Sequence, residues 1–150
     1  MKIVIASDHG GYQYKSILFK EIKEKGYDIT DLGSFNELPS DYPDFAELVA
    51  EALQCKKAEK GILICGSGAG VSVAANKFKD IRAALCHDTY TAHQCVEHDD
   101  VNVLCIGQRV IGIELSREII FAFLAGKFSH EERHERRLNK VKAIESRTMK

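Results

Sequence analysis

The stretch Ile64-Cys65-Gly66-Ser67-Gly68-Ala69-Gly70-Val71 sets one cysteine between an apolar run and a turn built of glycine and serine. A cysteine there can be inert packing, a metal ligand, or a reactive thiol beside an anion. The five cysteines, at positions 55, 65, 86, 95 and 105, form no Cys-x-x-Cys pair. Their odd number and wide spacing suit neither a zinc site nor a disulfide framework, so reduced thiols and no metal are expected. A strand feeding Gly66 to Gly70 and then a helix presents backbone N–H groups, and the positive end of a helix dipole, to whatever sits above it. That makes an oxyanion or phosphate cradle; the competing reading is a tight turn that needs glycine for its backbone. The glycines run G-x-G-x-G, so a dinucleotide fingerprint is not met, and no Gly-Lys-Ser/Thr follows for a nucleotide P-loop. A phosphatase-like loop needs an arginine about six residues after the cysteine, where this chain has Val71.

Around this centre stand other groups that move protons or hold anions. A helix amino terminus lowers a thiol's pKa, so Cys65 can act as a base. Cysteine is also among the residues most often buried inertly, as Cys86 and Cys105 are expected to be. His98, in Glu97-His98-Asp99-Asp100, is placed by its polar neighbours at an exposed rim, where it is either a proton shuttle or a solvated histidine. His87, His93, His130 and His134 are read as structural. Arg133 and Arg137, four apart, share one helical face with Arg136 and Lys140 beside it, either as a solvated face pairing with Glu132 and Glu135 or as a phosphate clamp. Arg109, at a strand end, is a third candidate for a phosphorylated ligand.

The elements that must position these groups alternate along the chain. Lys2 to Ser7 reads as a strand, and Asp8-His9-Gly10-Gly11 as a turn. A helix follows with Tyr14, Ile17, Leu18 and Ile22 at helical spacing, ending at Gly26. Strands are expected at Tyr27 to Leu32, Gly61 to Cys65, Arg82 to Cys86 and Asn102 to Ile106. Helices are expected at about Asp44 to Cys55 (with apolar Phe45, Leu48, Val49 and Leu53), Gly70 to Phe78, Thr89 to Glu97 and Gly112 to Leu124. A last, polar and basic helix spans about Glu131 to Ser146, and the loop Gly33 to Pro43 holds both prolines. Strands alternating with helices make a parallel sheet covered on both faces. The fold class is therefore α/β, a three-layer, doubly wound, Rossmann-like fold with a five-stranded sheet and a C-terminal basic helix. Ligands in such sheets bind outside the carboxyl ends of the strands, near the switch in strand order.

With 150 residues the chain fits one domain, 1–150, and needs no covalent staple. No apolar run approaches the ~20 residues of a membrane span, and the start is too short and too soon polar for a secretory signal, so a cytoplasmic protein is expected. The net charge of −1 argues against a protein that coats nucleic acid. Its distribution is uneven: residues 126–150 hold eight Lys or Arg against four Glu, a charge of +4 that leaves −5 on the rest.

Taken together, Ser7-Asp8-His9-Gly10-Gly11, Asp41-Tyr42-Pro43, Gly61 to Lys77, Asn102-Val103-Leu104, Gly107-Gln108-Arg109-Val110 and Arg133-His134-x-x-Arg137 resemble type B ribose-5-phosphate isomerase nearly end to end. The wider family includes galactose-6-phosphate isomerase subunits and allose-6-phosphate isomerases; the former lack the cysteine found here at 65. The resemblance implies a cofactor-free aldose–ketose isomerase of the pentose phosphate route. It implies Cys65 as the base that forms a cis-enediolate, Gly66, Gly68, Ala69 and Gly70 as the cradle for its oxygens, and Ser67 as a proton relay. It further implies His98 as the ring-opening acid/base, Asp8 and Tyr42 as sugar-binding groups, and His9, Arg109, Arg133 and Arg137 as the phosphate set. Family members are homodimers or dimers of dimers with sites between subunits, so some groups are expected from a partner chain. Many relatives carry asparagine where this chain has Asp99. An ionised carboxylate cannot donate a hydrogen bond and repels an enediolate. Asp99 is then protonated, or points away and accepts from a sugar hydroxyl, or leaves a weaker oxyanion hole, and the second is the expectation favoured here. Two other readings are a six-carbon sugar 6-phosphate as substrate, such as allose 6-phosphate, and a phosphosugar-binding module without turnover.

Overall fold

The computed structural model describes residues 1–149. Five parallel strands, β1 (Lys2–Ser7), β2 (Asp28–Asp31), β3 (Lys60–Cys65), β4 (Ala83–Leu85) and β5 (Val103–Gly107), form one sheet in the order β2-β1-β3-β5-β4. Six helices connect and follow them: α1 (Tyr12–Glu24), α2 (Tyr42–Gln54), α3 (Ala69–Ala75), α4 (Thr89–Asp99), α5 (Ile113–Ala125) and α6 (Glu132–Thr148).

The strands read as continuous apolar runs because helices cover both faces. Ile3, Ile5, Ile62, Ile64, Leu104 and Ile106 point to a core shared with Leu18 and Ile22 of α1, Ala92 and Val96 of α4, and Ile119, Ile120 and Phe123 of α5. Val4, Ala6, Leu63, Cys65, Val103 and Cys105 face the opposite core, against Ala46, Val49 and Ala50 of α2 and Val71 and Ala75 of α3. Burying one isoleucine or leucine contributes about 1.5–3 kcal/mol, so the six such residues on the first face anchor the sheet.

Five expectations are corrected. α1 buries Lys15 where the apolar pattern points to Ile17: Lys15 is 1 % exposed and Ile17 44 %. The ammonium of Lys15 lies 2.5 Å from Asp31 Oδ2 and near the Tyr12 and Phe35 rings, a partnership that lets the helix turn its charged residue inward. In α2, Leu48 is likewise exposed while alanines take the core. That helix begins at Tyr42, because Pro43 fits its first turn and needs no N–H partner. α3 stops at Ala75, short of Phe78, because Asn76 turns its amide onto Ser72 O and both backbone groups of Ala83, tying the helix end to β4. α4 runs through His98 and Asp99, so both stand on its last turn.

β1 and β3 are neighbours in the sheet, yet the chain leaves β1 toward β2 and leaves β3 toward β5 and β4. The crevice of this fold opens at that reversal, above Ser7 and Cys65. Among the described residues no helix is long and apolar enough to cross a membrane.

Candidate active site

Cys65 is the last residue of β3, paired in register with Gly107 of β5. It is 4 % exposed, and the N–H of Gly68 donates to its Sγ at 3.0 Å. That backbone donor fixes the sulfur at the mouth of the turn. Gly68 adopts φ +77°, and a β-carbon there would meet Leu85 Cδ1 at 2.5 Å and the Ile106 carbonyl carbon at 2.8 Å. The turn therefore needs glycine for both conformation and space. Gly107 answers it from below: a β-carbon there would lie 2.5 Å from Ser67 C and O. His87 Nε2 accepts the Gly107 N–H at 3.1 Å and fixes the end of β5 under the turn. α3 is seven residues long, so local N–H groups, more than a long helix dipole, give this turn its positive character.

Around the sulfur, a cleft of about 350 Å³ is lined by Asp8, Tyr42, Cys65, Gly66, Ser67, Gly70, Arg109 and Val110. Asp8 ends β1 and accepts the Gly11 N–H through Oδ1, which holds its carboxylate at the switch point. Tyr42, first residue of α2, lays its ring against Gly70, whose absent β-carbon would sit 3.0 Å from that ring. Arg109 does the same over Gly66, with Nη1 3.0 Å from the equivalent position, while its N–H donates to Gly66 O. Ser67 is exposed, and its Oγ accepts the Ala69 N–H. His9 is half-buried beside Asp8; its Nδ1 lies 3.1 Å from the Ser40 N and 3.2 Å from the Ser40 O. The Ser40 loop therefore fixes the His9 ring.

The remaining predicted groups do not reach this cleft within one chain. His98 and Asp99 precede β5, whereas Cys65 aligns with its end. The four residue steps from Val103 to Gly107, at a rise of ~3.3 Å each, separate the two edges of the sheet by about 13 Å. His98 is half-buried and not exposed as expected, because it stacks on His134 and its Nδ1 lies 2.7 Å from Gln94 Nε2. Asp99 is exposed and borders an apolar groove of about 410 Å³ under α6, with Arg82 and Leu138. Arg133 and Arg137 are exposed on α6; Arg133 Nε donates to Glu131 Oε2, and Arg137 makes no ion pair among the described residues. Arg136 pairs with Glu132 as anticipated, but Glu135 takes His130 and not an arginine.

The other thiols stand apart. Cys105 is fully enclosed, and burial pushes its thiol up from the ordinary range. Cys86 is pushed up as well, first by its hydrogen bond with Cys95, 3.9 Å away, and then by burial. Among the described residues no cluster of three His, Cys, Asp or Glu side chains is placed to hold a metal ion. Sequence reasoning missed Gln94, which an i, i+4 pairing with His98 on one helix would have flagged. It also gave no role to His134, for which the sequence holds no local signal.

Comparison with known proteins agrees with this architecture. Ribose-5-phosphate isomerase B of Escherichia coli (strain K12) is 40% identical over 146 residues, 97% of each chain. The solved ribose-5-phosphate isomerase B of Clostridium thermocellum superposes with a TM-score of 0.95 at 43% identity, covering 98% of this chain and 99% of that one. The Mycoplasma genitalium enzyme of the same name, solved with bound ribulose 5-phosphate, gives a TM-score of 0.91 at 40% identity over 98% and 97% of the two chains. With residues 3–141 matching its family-wide pattern, the chain belongs to the ribose/galactose isomerase family.

Proposed function

We propose that the chain interconverts ribose 5-phosphate and ribulose 5-phosphate through a cis-enediolate, as a single cofactor-free domain, in the cytoplasm and on the pentose phosphate route. The observation that carries this reading is the Gly68 N–H on the Cys65 sulfur at the switch point, inside a cleft that also holds a carboxylate, a phenol and a guanidinium. Relatives along the whole chain that bear the name ribose-5-phosphate isomerase B support the choice of sugar.

The chemistry is proton transfer throughout. His98 takes the O1 proton of the closed sugar and returns one to the ring oxygen, which opens the ring. Cys65, as thiolate, removes the proton from C2; the C–H electron pair becomes the C1–C2 double bond, and the carbonyl pair moves onto O1. Backbone N–H groups of Gly66 to Gly70 stabilise that oxyanion, each worth a few kcal/mol when preorganised. Ser67 Oγ passes the O2 proton to O1, and the Cys65 thiol delivers its proton to C1, leaving the ketone at C2. Asp8 and Tyr42 orient the sugar hydroxyls. His9, Arg109, Arg133 and Arg137 hold the phosphate.

Because a sheet's length separates His98, Asp99, Arg133 and Arg137 from Cys65, this assignment requires a homodimer, or a dimer of dimers, in which the second copy supplies one half of each site. The test is proton NMR of ribose 5-phosphate in D2O with the purified protein and with Cys65→Ala. Ribulose 5-phosphate carrying deuterium at C1, formed by the native chain and reduced at least ~10³-fold in the variant, is the expected outcome. Near-native turnover by Cys65→Ala would assign the base to another residue. A six-carbon sugar 6-phosphate remains the second reading, since the family spans ribose and galactose isomerases. Comparing kcat/KM for ribose 5-phosphate and allose 6-phosphate decides between them. Binding of either sugar phosphate without turnover would make the chain a binding module.

A further inference from the structure

His98, on the last turn of α4, faces His134, on the first turn of α6, with ring centroids 4.0 Å apart and planes 24° from parallel. His134 is 2 % exposed, which is unusual for a histidine that meets no charged partner among the described residues. Its Nδ1 lies 2.5 Å from Ser129 Oγ, and that hydroxyl also accepts the Glu131 N–H. The Ser129 N–H donates to the carbonyl of Glu97, the residue before His98. The frame is thereby closed: α4 holds Ser129, Ser129 holds the His134 ring, and that ring lies on His98.

Gln94 completes it from within α4, its Nε2 2.7 Å from His98 Nδ1. The two contacts restrict different motions. A stacked ring sets the tilt of the imidazole plane, whereas the hydrogen bond sets rotation within that plane. Together they leave Nε2 as the nitrogen of His98 that makes no hydrogen bond among the described residues. With the Gln94 N–H on Nδ1, where its Nε2 stands, the proton of a neutral imidazole sits on Nε2.

We propose that His134 is a positioning residue for His98, a buried platform that holds the acid/base imidazole in one plane so that Nε2 meets the sugar ring. This inference rests on the reading of His98 as the ring-opening group. The experiment compares native chain, His134→Leu, Ser129→Ala and Leu138→Ala by long-range 1H–15N spectra of the histidine rings and by steady-state kinetics on ribose 5-phosphate. In the native chain one His98 tautomer dominates. His134→Leu shifts both His98 nitrogens toward the average of two tautomers, and lowers kcat by about tenfold to a hundredfold with KM changed less than about threefold, the scale for a misplaced acid/base group. Ser129→Ala moves both readouts the same way and by less, and carries the test if His134→Leu does not fold. Leu138→Ala loosens the same helix contact without touching the rings; it lowers Tm and leaves the His98 nitrogens and kcat in place.

Unchanged His98 nitrogens in both His134→Leu and Ser129→Ala overturn the proposal. So does an equal loss of kcat in Leu138→Ala, which would assign the effect to packing. Absence of ribose 5-phosphate turnover in the native chain overturns the functional reading and the catalytic half of the inference. The nitrogen spectra still decide in that case whether His134 holds His98.

Discussion

At the scale of single residues, Asp99 separates two accounts of the reacting oxygens. If Asp99 faced the enediolate, its carboxylate would repel the developing charge, and asparagine would relieve that repulsion. In this chain Asp99 is exposed and borders the groove under α6. Asp99→Asn is therefore expected to change kcat by less than about tenfold, or ~1.4 kcal/mol, in steady-state assays; a larger rise would place the carboxylate against the intermediate. The residues around Cys65 were legible in the sequence because a glycine turn leaves a mark that geometry enforces. The exposure of His98 was not, since the histidine that covers it lies 36 positions later and no short-range pattern joins the two.

Among the elements, the turn after β3 has little tolerance for change. A methyl group at Gly68 meets Leu85 and the Ile106 carbonyl carbon in a left-handed conformation, so Gly68→Ala is expected to cost about 1–3 kcal/mol in urea denaturation. Activity should fall further than stability accounts for, as the N–H on Cys65 Sγ moves with that backbone. A second junction is electrostatic. Arg117 of α5 grips Glu21 of α1 with Nε and Nη2 at 2.6 and 2.7 Å, and this hydrogen bond to the guanidinium holds the Glu21 carboxyl below its usual value. A depressed carboxyl pKa stabilises the fold above its unfolded value and ceases to do so as pH falls through the folded one. Urea midpoints of the native chain and Glu21→Gln should thus differ at pH 7, by about 1 kcal/mol or less for a pair this accessible, and converge in acid. Element types and order followed from the alternation of apolar runs, and the five strands stand where that alternation puts them. Helix ends moved by several residues where side chains override the pattern: Pro43 admits an earlier start to α2, and Asn76 ends α3 early. The inward Lys15 was hidden because its partner Asp31 belongs to another element.

For the whole molecule, the separation of His98 from Cys65 by the length of the sheet was implicit in the sequence. A helix that ends just before a parallel strand must end at that strand's amino edge, while Cys65 ends its own strand. The proposed two-copy site makes a sharp prediction for mixed chains. Cys65→Ala and His98→Asn, each nearly inactive alone, are co-expressed and assayed together. Random pairing puts one intact site in half of the dimers, so about a quarter of native activity is expected to return. No recovery, with mixed dimers verified by mass spectrometry, would place both groups of each site in one chain.

The short edge-to-edge span of β5 carries a further consequence. On the proposed assembly, a newly made chain owns a thiol without its ring opener and a ring opener without its thiol, so it is chemically mute until it meets a copy of itself. In very dilute solution, where paired chains are scarce, catalytic output then grows with the square of chain concentration, and abundance itself becomes a throttle on the reaction.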